Sequence, residues 1–284
     1  MRILRTIAEL RRWRAGAGKV ALVPTMGNLH AGHMALVKEA QRHGDAVVLS
    51  IFVNPTQFGP FEDFDRYPRT PKEDLDLCQA SGVSVVFMPD MEEIYPKGRD
   101  GLAVAVIPER MTDVLCGAQR PGHFRGVTTV VSILFHLVRP DAAVFGEKDW
   151  QQLAILRAMV GDLHFGIVMV GLPTVREKDG LALSSRNRYL DEEARGLAPG
   201  LFKGLSAMQS AAKRGGRDVA ALLAQGRETL RLAGLPEPEY LEIRSGGDLT
   251  LLGEENPWRD DARVFVAIKL GGARLIDNLP LLTK

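Results

Sequence analysis

The feature that most constrains this chain is a repeated change of period. Short apolar, β-branched runs, "KVALVP", "DAVVLSIFV", "VSVVFMP", "VTTVVSILFHLVRP", "AAVFG" and "HFGIVMVGLP", alternate with segments of helical spacing such as "HMALVKEAQRHG", "TPKEDLDLCQASG" and "DWQQLAILRAMVGD". Parallel strands need long crossovers, and those crossovers cover the sheet, so the pattern predicts an α/β fold with helices on both faces of a parallel sheet. From about residue 175 the texture changes. A charged, Ser-rich stretch, "VREKDGLALSSRNRYLDEEARG", leads into two Ala/Leu-rich helices, roughly 192–214 and 217–233, and then into "EYLEIR", "RVFVAIKLGG" and "ARLIDNL". The expectation is a catalytic domain over 1–174 and a smaller α+β domain over 175–284. The opening "MRILRTIAELRRWRAG" reads as an amphipathic first helix.

Charge and cysteine usage then exclude several classes. Thirty-six basic residues against 35 acidic leave a formal charge of +1, too little to hold nucleic acid or an anionic membrane by its field. Cys78 and Cys116 show neither metal-site spacing nor a disulfide framework, so reduced thiols in a cytoplasmic protein are expected. No apolar run approaches the length of a membrane span.

In an open parallel sheet, ligands bind beyond the carboxyl ends of the strands. The exits here are "PTMGNLHAGH", "NPTQF", "GEKDWQQ" and "PTVREKDGLALSSRN", which together deliver Gly, His, Gln, Lys, Asp, Ser and Arg to one edge. A helix starting near Asn28, a good N-cap type, would put His30 and His33 one turn apart beside free N–H groups, a place suited to phosphate. Gly27 and Gly32 would let a base or phosphate approach the backbone. Two histidines at this spacing can also share a metal ion, but no third ligand follows at a suitable distance. Ser184, Ser185 and Arg186 supply donors for a polyphosphate, against the plainer reading of a linker with an N-cap serine. Lys148 is a point charge suited to a transferring phosphoryl group, unless Glu147 or Asp149 simply pairs with it. Gln57 and Gln152, at two separate exits, can read a small polar acid without clamping its carboxylate in the ground state.

Six ordered motifs, "PTMGNLHAGH", "FVNPTQF", "YPRTP", "RPGHFRGV", "VFGEKDWQQL" and "VREKDGLALSSRNRYL", resemble the pantothenate synthetase (pantoate–β-alanine ligase) family between residues 23 and 190, and "LIDNL" is similar to its C-terminal part. The HxGH and SSRN segments are also similar to the signatures of class I aminoacyl-tRNA synthetases and nucleotidylyltransferases. The resemblance implies a Rossmann-like nucleotidyltransferase domain followed by a smaller α+β lid, in a cytoplasmic homodimer. It implies ATP bound by Met26, Gly27, Asn28, Leu29, His30, Ala31, Gly32 and His33, by Gly146, Glu147, Lys148 and Asp149, and by Val175, Leu183, Ser184, Ser185 and Arg186, with Mg²⁺ accompanying it. His33 is implied as the active-site histidine, His30 as a second phosphate contact, and Gln57 and Gln152 as pantoate ligands. Tyr67, Asp74 and Arg120 match positions near the substrate region. Thr56 and Leu183 stand where some members have Met, and Phe61 replaces a polar residue.

The activity so implied is ATP-dependent condensation of (R)-pantoate with β-alanine through a pantoyl adenylate, giving pantothenate, AMP and pyrophosphate. No elbow-type nucleophile or Cys/His pair is present for a covalent enzyme intermediate. A nucleotidylyltransferase acting on a phosphorylated metabolite shares the HxGH and SSRN logic, and a nucleotide- or RNA-binding module is the non-enzymatic alternative.

Overall fold

The computed structural model describes residues 1–59, 62 and 64–282. Phe61 lies outside the described residues. By internal contacts the chain forms two compact units, Met1–Glu147 with Ile155–Pro173, and Lys148–Ala154 with Thr174–Lys284.

The first unit is built in the order β1 (Arg2–Leu4), α1 (Ile7–Ala15), β2 (Val20–Thr25), α2 (Ala31–Ala40), β3 (Ala46–Ile51), α3 (Pro71–Ala80), β4 (Val85–Phe87), α4 (Met91–Ile94), α5 (Leu115–Gln119), α6 (His123–Val138), β5 (Ala142–Gly146), α7 (Trp150–Asp162) and β6 (Val168–Leu172); the first residues of α7 group with the other unit. The strands form a six-stranded sheet in the order β1-β4-β3-β2-β5-β6, parallel throughout. After β2 the chain winds outward through β3 and β4, then returns to the other side of β2 as β5. The sheet therefore reverses at β2 and β5, the position where open α/β sheets bind their ligands. Val20 to Val23, Val47 to Leu49, Val85 to Phe87 and Ala143 to Val144 are almost fully buried, as strands covered on both faces require.

Two readings of this unit are corrected. The opening segment is a helix only from Ile7; Arg2 to Leu4 extend as β1 and pair with β4. The break falls at Thr6, whose hydroxyl accepts from the Glu9 N–H while the Glu9 carboxylate accepts from the Thr6 N–H, a capping box. "VTTVVSILFHLV" has the β-branched composition of a strand but lies in the 16-residue α6. Twelve of those residues are buried, so packing on nearly every face overrides the small helix penalty of Val and Thr.

The second unit contains α8 (Glu192–Leu197), α9 (Gly200–Lys213), α10 (Val219–Leu232), β7 (Tyr240–Ser245), β8 (Ala262–Leu270) and β9 (Ala273–Pro280), with β7-β8-β9 forming an antiparallel sheet. The single helix expected over 192–214 is two, divided around Pro199, whose missing N–H and ring interrupt the ladder. Leu201, Leu205 and Met208 of α9 pack with Leu222 and Leu230 of α10 and with Ile243, Val264, Val266 and Ile268 of the sheet, giving this unit its own core. No helix among the described residues is long and apolar enough to cross a membrane.

Candidate active site

The loop after β2 is shaped by a residue 46 positions downstream. Asp74, buried near the start of α3, accepts from the Asn28 N–H at 2.9 Å and the Leu29 N–H at 2.8 Å, and the Thr70 hydroxyl donates to it at 3.1 Å. Gly27 and Asn28 both take left-handed backbone, at φ 78° and 50°. A Cβ on Gly27 would stand 2.9 Å from the Asp74 carboxylate, so glycine is needed for space as well as for φ. Asn28 is therefore not the cap expected of it. Its N–H is spent on Asp74, it precedes the helix by a left-handed turn, and its buried side-chain amide has no hydrogen-bond partner among the described residues.

His30 is the cap. It has extended backbone, and its Nδ1 accepts from the Gly32 N–H at 3.1 Å, while His33 Nδ1 accepts from the His30 N–H at 3.2 Å. The rings lie 4.1 Å apart between centroids. The pair is brought together as expected, but two of the N–H groups expected to be open at this helix start are occupied by the rings themselves. The exchange has a chemical consequence. An imidazole whose Nδ1 accepts a hydrogen bond carries its proton on Nε2 when neutral, so both rings are set as Nε2–H donors.

Gln57 ends a 3₁₀ turn, Pro55–Gln57, after β3. Its Oε1 accepts from Asn54 Nδ2 at 3.1 Å, which assigns Nε2 as the donor end; that nitrogen lies 3.1 Å from the Met26 sulfur. Asn54 is a buried hub: Nδ2 also donates to the Gly126 carbonyl, and Oδ1 accepts from the hydroxyls of Tyr95 at 2.7 Å and Thr56 at 3.0 Å. The "RPGHFRGV" motif supports the same turn. His123 Nδ1 lies 2.9 Å from the Gln57 carbonyl, to which Arg120 also donates, and Gly126 lets α6 pack so close that a Cβ would meet the Thr56 carbonyl at 2.3 Å. Arg120 holds Glu62 by two 2.6 Å bonds. Burial pushes the Glu62 carboxyl up, but the Arg120 hydrogen bonds and charge outweigh this and hold it below its ordinary value. Tyr67 packs its ring edge-on to Phe58. Asp74 and Arg120, placed near substrate by resemblance, thus act structurally on the loops that carry Asn28 and Gln57. Asn54 was missed because an Asn before Pro reads as ordinary turn chemistry.

In the second unit, Lys148 sits in the 3₁₀ turn Glu147–Asp149 that follows β5 and Gly146, with Nζ 3.8 Å from Asp149. Asp149 is 53% exposed, so this pairing is weak and does not retire the lysine. Gln152 is half-buried on α7. Val175 and Leu183 face each other across a short antiparallel turn, the Leu183 N–H donating to the Val175 carbonyl at 2.9 Å. Ser184 follows as the cap of the 3₁₀ turn Ser185–Tyr189, its Oγ accepting from the Arg186 N–H at 3.2 Å. The expected N-cap role is therefore real, and it leaves the hydroxyl proton available to donate.

A family model described as "Pantoate-beta-alanine ligase" matches residues 2–280. A pantothenate synthetase of Azotobacter vinelandii is 50% identical over 288 residues, 97% of each chain. One from Pseudomonas entomophila is 51% identical over 287 residues, covering 99% of this chain and 98% of the relative. Among solved structures, pantothenate synthetase from Thermus thermophilus is 49% identical, with a TM-score of 0.92 over the whole of both chains. A Francisella tularensis pantoate-beta-alanine ligase, described as complexed with beta-gamma ATP and beta-alanine, is 31% identical with a TM-score of 0.81, covering 100% of this chain and 99% of that one.

Proposed function

The chain belongs to the pantoate–β-alanine ligase family and carries that family's ligase activity, and from this premise we propose that it works in two steps at the strand exits described above. ATP is the nucleotide, as in the Francisella relative. The pantoate carboxylate oxygen attacks the α-phosphorus, the bond to pyrophosphate breaks, and pantoyl adenylate forms. The β-alanine amine then attacks the acyl carbon, AMP leaves, and the amine proton passes to solvent or a product phosphate.

The observation that carries this reading is the pair of histidines whose Nδ1 atoms are engaged by the loop, which fixes two Nε2–H donors at the exit of β2. Donors held in this way stabilise charge on phosphate oxygens without reorganisation, the largest single contribution in reactions of this kind. Met26 to His33 and Gly146 take the nucleotide on the first unit; Glu147, a turn residue of that unit, and Lys148, Asp149, Val175, Leu183, Ser184, Ser185 and Arg186 complete the proposed set. His33 acts as the active-site donor, assisted by His30, and Lys148 offsets charge on the departing pyrophosphate. Gln57 and Gln152 hold pantoate through amides, which leaves the carboxylate nucleophilic.

Among the described residues no group of three His, Cys, Asp or Glu side chains is arranged to hold a metal ion. A Mg²⁺ accompanying the triphosphate is proposed from the resemblance alone; it would be held mostly by phosphate oxygens and water and would offset phosphate charge. A homodimer in the cytoplasm is proposed from the resemblance alone. Product analysis with ATP, pantoate and β-alanine tests the activity: AMP release must depend on both acids, and ADP, or no turnover, would refute the reading.

A further inference from the structure

Asp277 and Asn278 are neighbours on β9, 4% and 3% exposed, and the reaction above gives neither a part. Their bonds lead to two segments that it does use. Asn278 Nδ2 donates to the Lys148 carbonyl at 2.9 Å, and Asn278 Oδ1 accepts from Arg263, whose guanidinium lies over the Trp150 ring 3.3 Å from its centroid. The Trp150 indole N–H in turn donates to the Gly246 carbonyl at 2.8 Å. The turn carrying Lys148 is thus tied to the C-terminal sheet at residues 148 and 150.

Asp277 holds the other segment. Its carboxylate takes a bidentate pair from Arg176 at 2.6 and 2.9 Å, and also accepts from the Asn278 N–H at 2.8 Å. Arg176 donates onward to the Gly180 carbonyl at 3.1 Å and stacks on Phe202 at 4.1 Å. It bridges to Ala182 across the turn that delivers Leu183, Ser184 and Arg186. A bidentate pair of this kind fixes direction as well as distance.

We propose that Asp277 and Asn278 are positioning residues for adenylate formation, Asn278 setting the main chain of Lys148 and Asp277 setting, through Arg176, the turn that leads to Ser184 and Arg186. The inference rests on the roles given above to Lys148 and Arg186. Two adjacent residues on one strand register both cationic turns to a single rigid element, the arrangement a preorganised charge site needs.

A double-mutant cycle on the full chain tests it, with single-turnover adenylate formation as the rate and thermal melting as the control for folding. Asn278→Asp keeps an acceptor for Arg263 but loses the donor to Lys148. It is expected to slow adenylate formation roughly 10- to 100-fold, the scale of a small misplacement, with the KM for pantoate unchanged. Combined with Lys148→Ala, it should add nothing to the loss from Lys148→Ala alone. A further loss of the same factor in the double variant would overturn the proposal, as would an effect carried wholly by the pantoate KM. Wild-type rate in Lys148→Ala would instead defeat the role of Lys148, and with it the argument built upon it. Should Asn278→Asp not fold beside the Asp277 carboxylate, Asn278→Ala goes through the same cycle. Asp277→Asn paired with Arg186→Ala tests the second arm, with non-additivity again expected and additivity overturning it.

Discussion

Both oxygens of the Asp74 carboxylate are engaged by backbone N–H groups of the loop before α2, Oδ2 by Asn28 at 2.9 Å and Oδ1 by Leu29 at 2.8 Å. Asp74→Ala removes the acceptor and leaves two buried donors unsatisfied, so a loss on the order of 3 kcal/mol is expected in urea denaturation. Asp74→Asn retains one acceptor oxygen and should lose less. Equal stability of Asp74→Ala and the unsubstituted chain would show that the clamp does not hold this loop.

His33→Ala is expected to lower single-turnover adenylate formation roughly 10² to 10³-fold, the scale for removing one preorganised donor. Because His33 also accepts from the His30 N–H, His33→Asn is the informative companion: its carbonyl oxygen can take over that acceptor role without supplying the ring donor. A fully active Asn variant would reduce His33 to a structural cap.

Gln57→Ala should raise the KM for pantoate far more than that for ATP, measured in steady state with each substrate varied. Asn54→Ala should shift it in the same direction, since Asn54 Nδ2 sets which end of the Gln57 amide donates. Losses divided equally between the two substrates would sink the assignment.

The Glu62–Arg120 pair gives a pH dependence of known sign. Its folded carboxyl lies below the ordinary value of 4.5, so the pair contributes stability that is fully present above that value and is lost as pH falls through the lowered folded one. Melting temperatures of Glu62→Gln and the unsubstituted chain should differ at neutral pH and converge as pH drops below 4.5. A gap that widens on acidification would contradict the pairing.

Cys78 is fully buried, and burial, aided by the Asp74 charge, pushes its thiol up to about 12. Because only thiolate reacts, an aromatic disulfide reagent at about pH 8 should titrate Cys78 only after denaturation. Rapid labelling of Cys78 in the native protein would mean that α3 opens readily.

The strand exits were legible because each rests on a local pattern, an apolar run followed by polar turn residues. α6 was not, since its Val and Thr content points to a strand, and the helix forms because packing on nearly every face outweighs that preference. β1 has only three residues and owes its conformation to β4, more than eighty positions away. The start of α2 was misplaced for a related reason. Asn28 is a better cap than His30 by local preference, but the Asp74 carboxylate claims its N–H from across the unit. Gln57 could be singled out by type and position; that Asn54 orients it, and that Arg120 and His123 brace its carbonyl, depends on side chains distant in sequence.

Serine, aspartate or asparagine at residue 30 would start α2 as well as histidine does, by a single oxygen that accepts. An imidazole divides the labour between two atoms of one rigid ring: one nitrogen closes the helix, and by doing so it decides where the proton on the other must be. At residues 30 and 33 the fold thus decides, before any ligand arrives, which ring nitrogen carries the proton of a neutral imidazole.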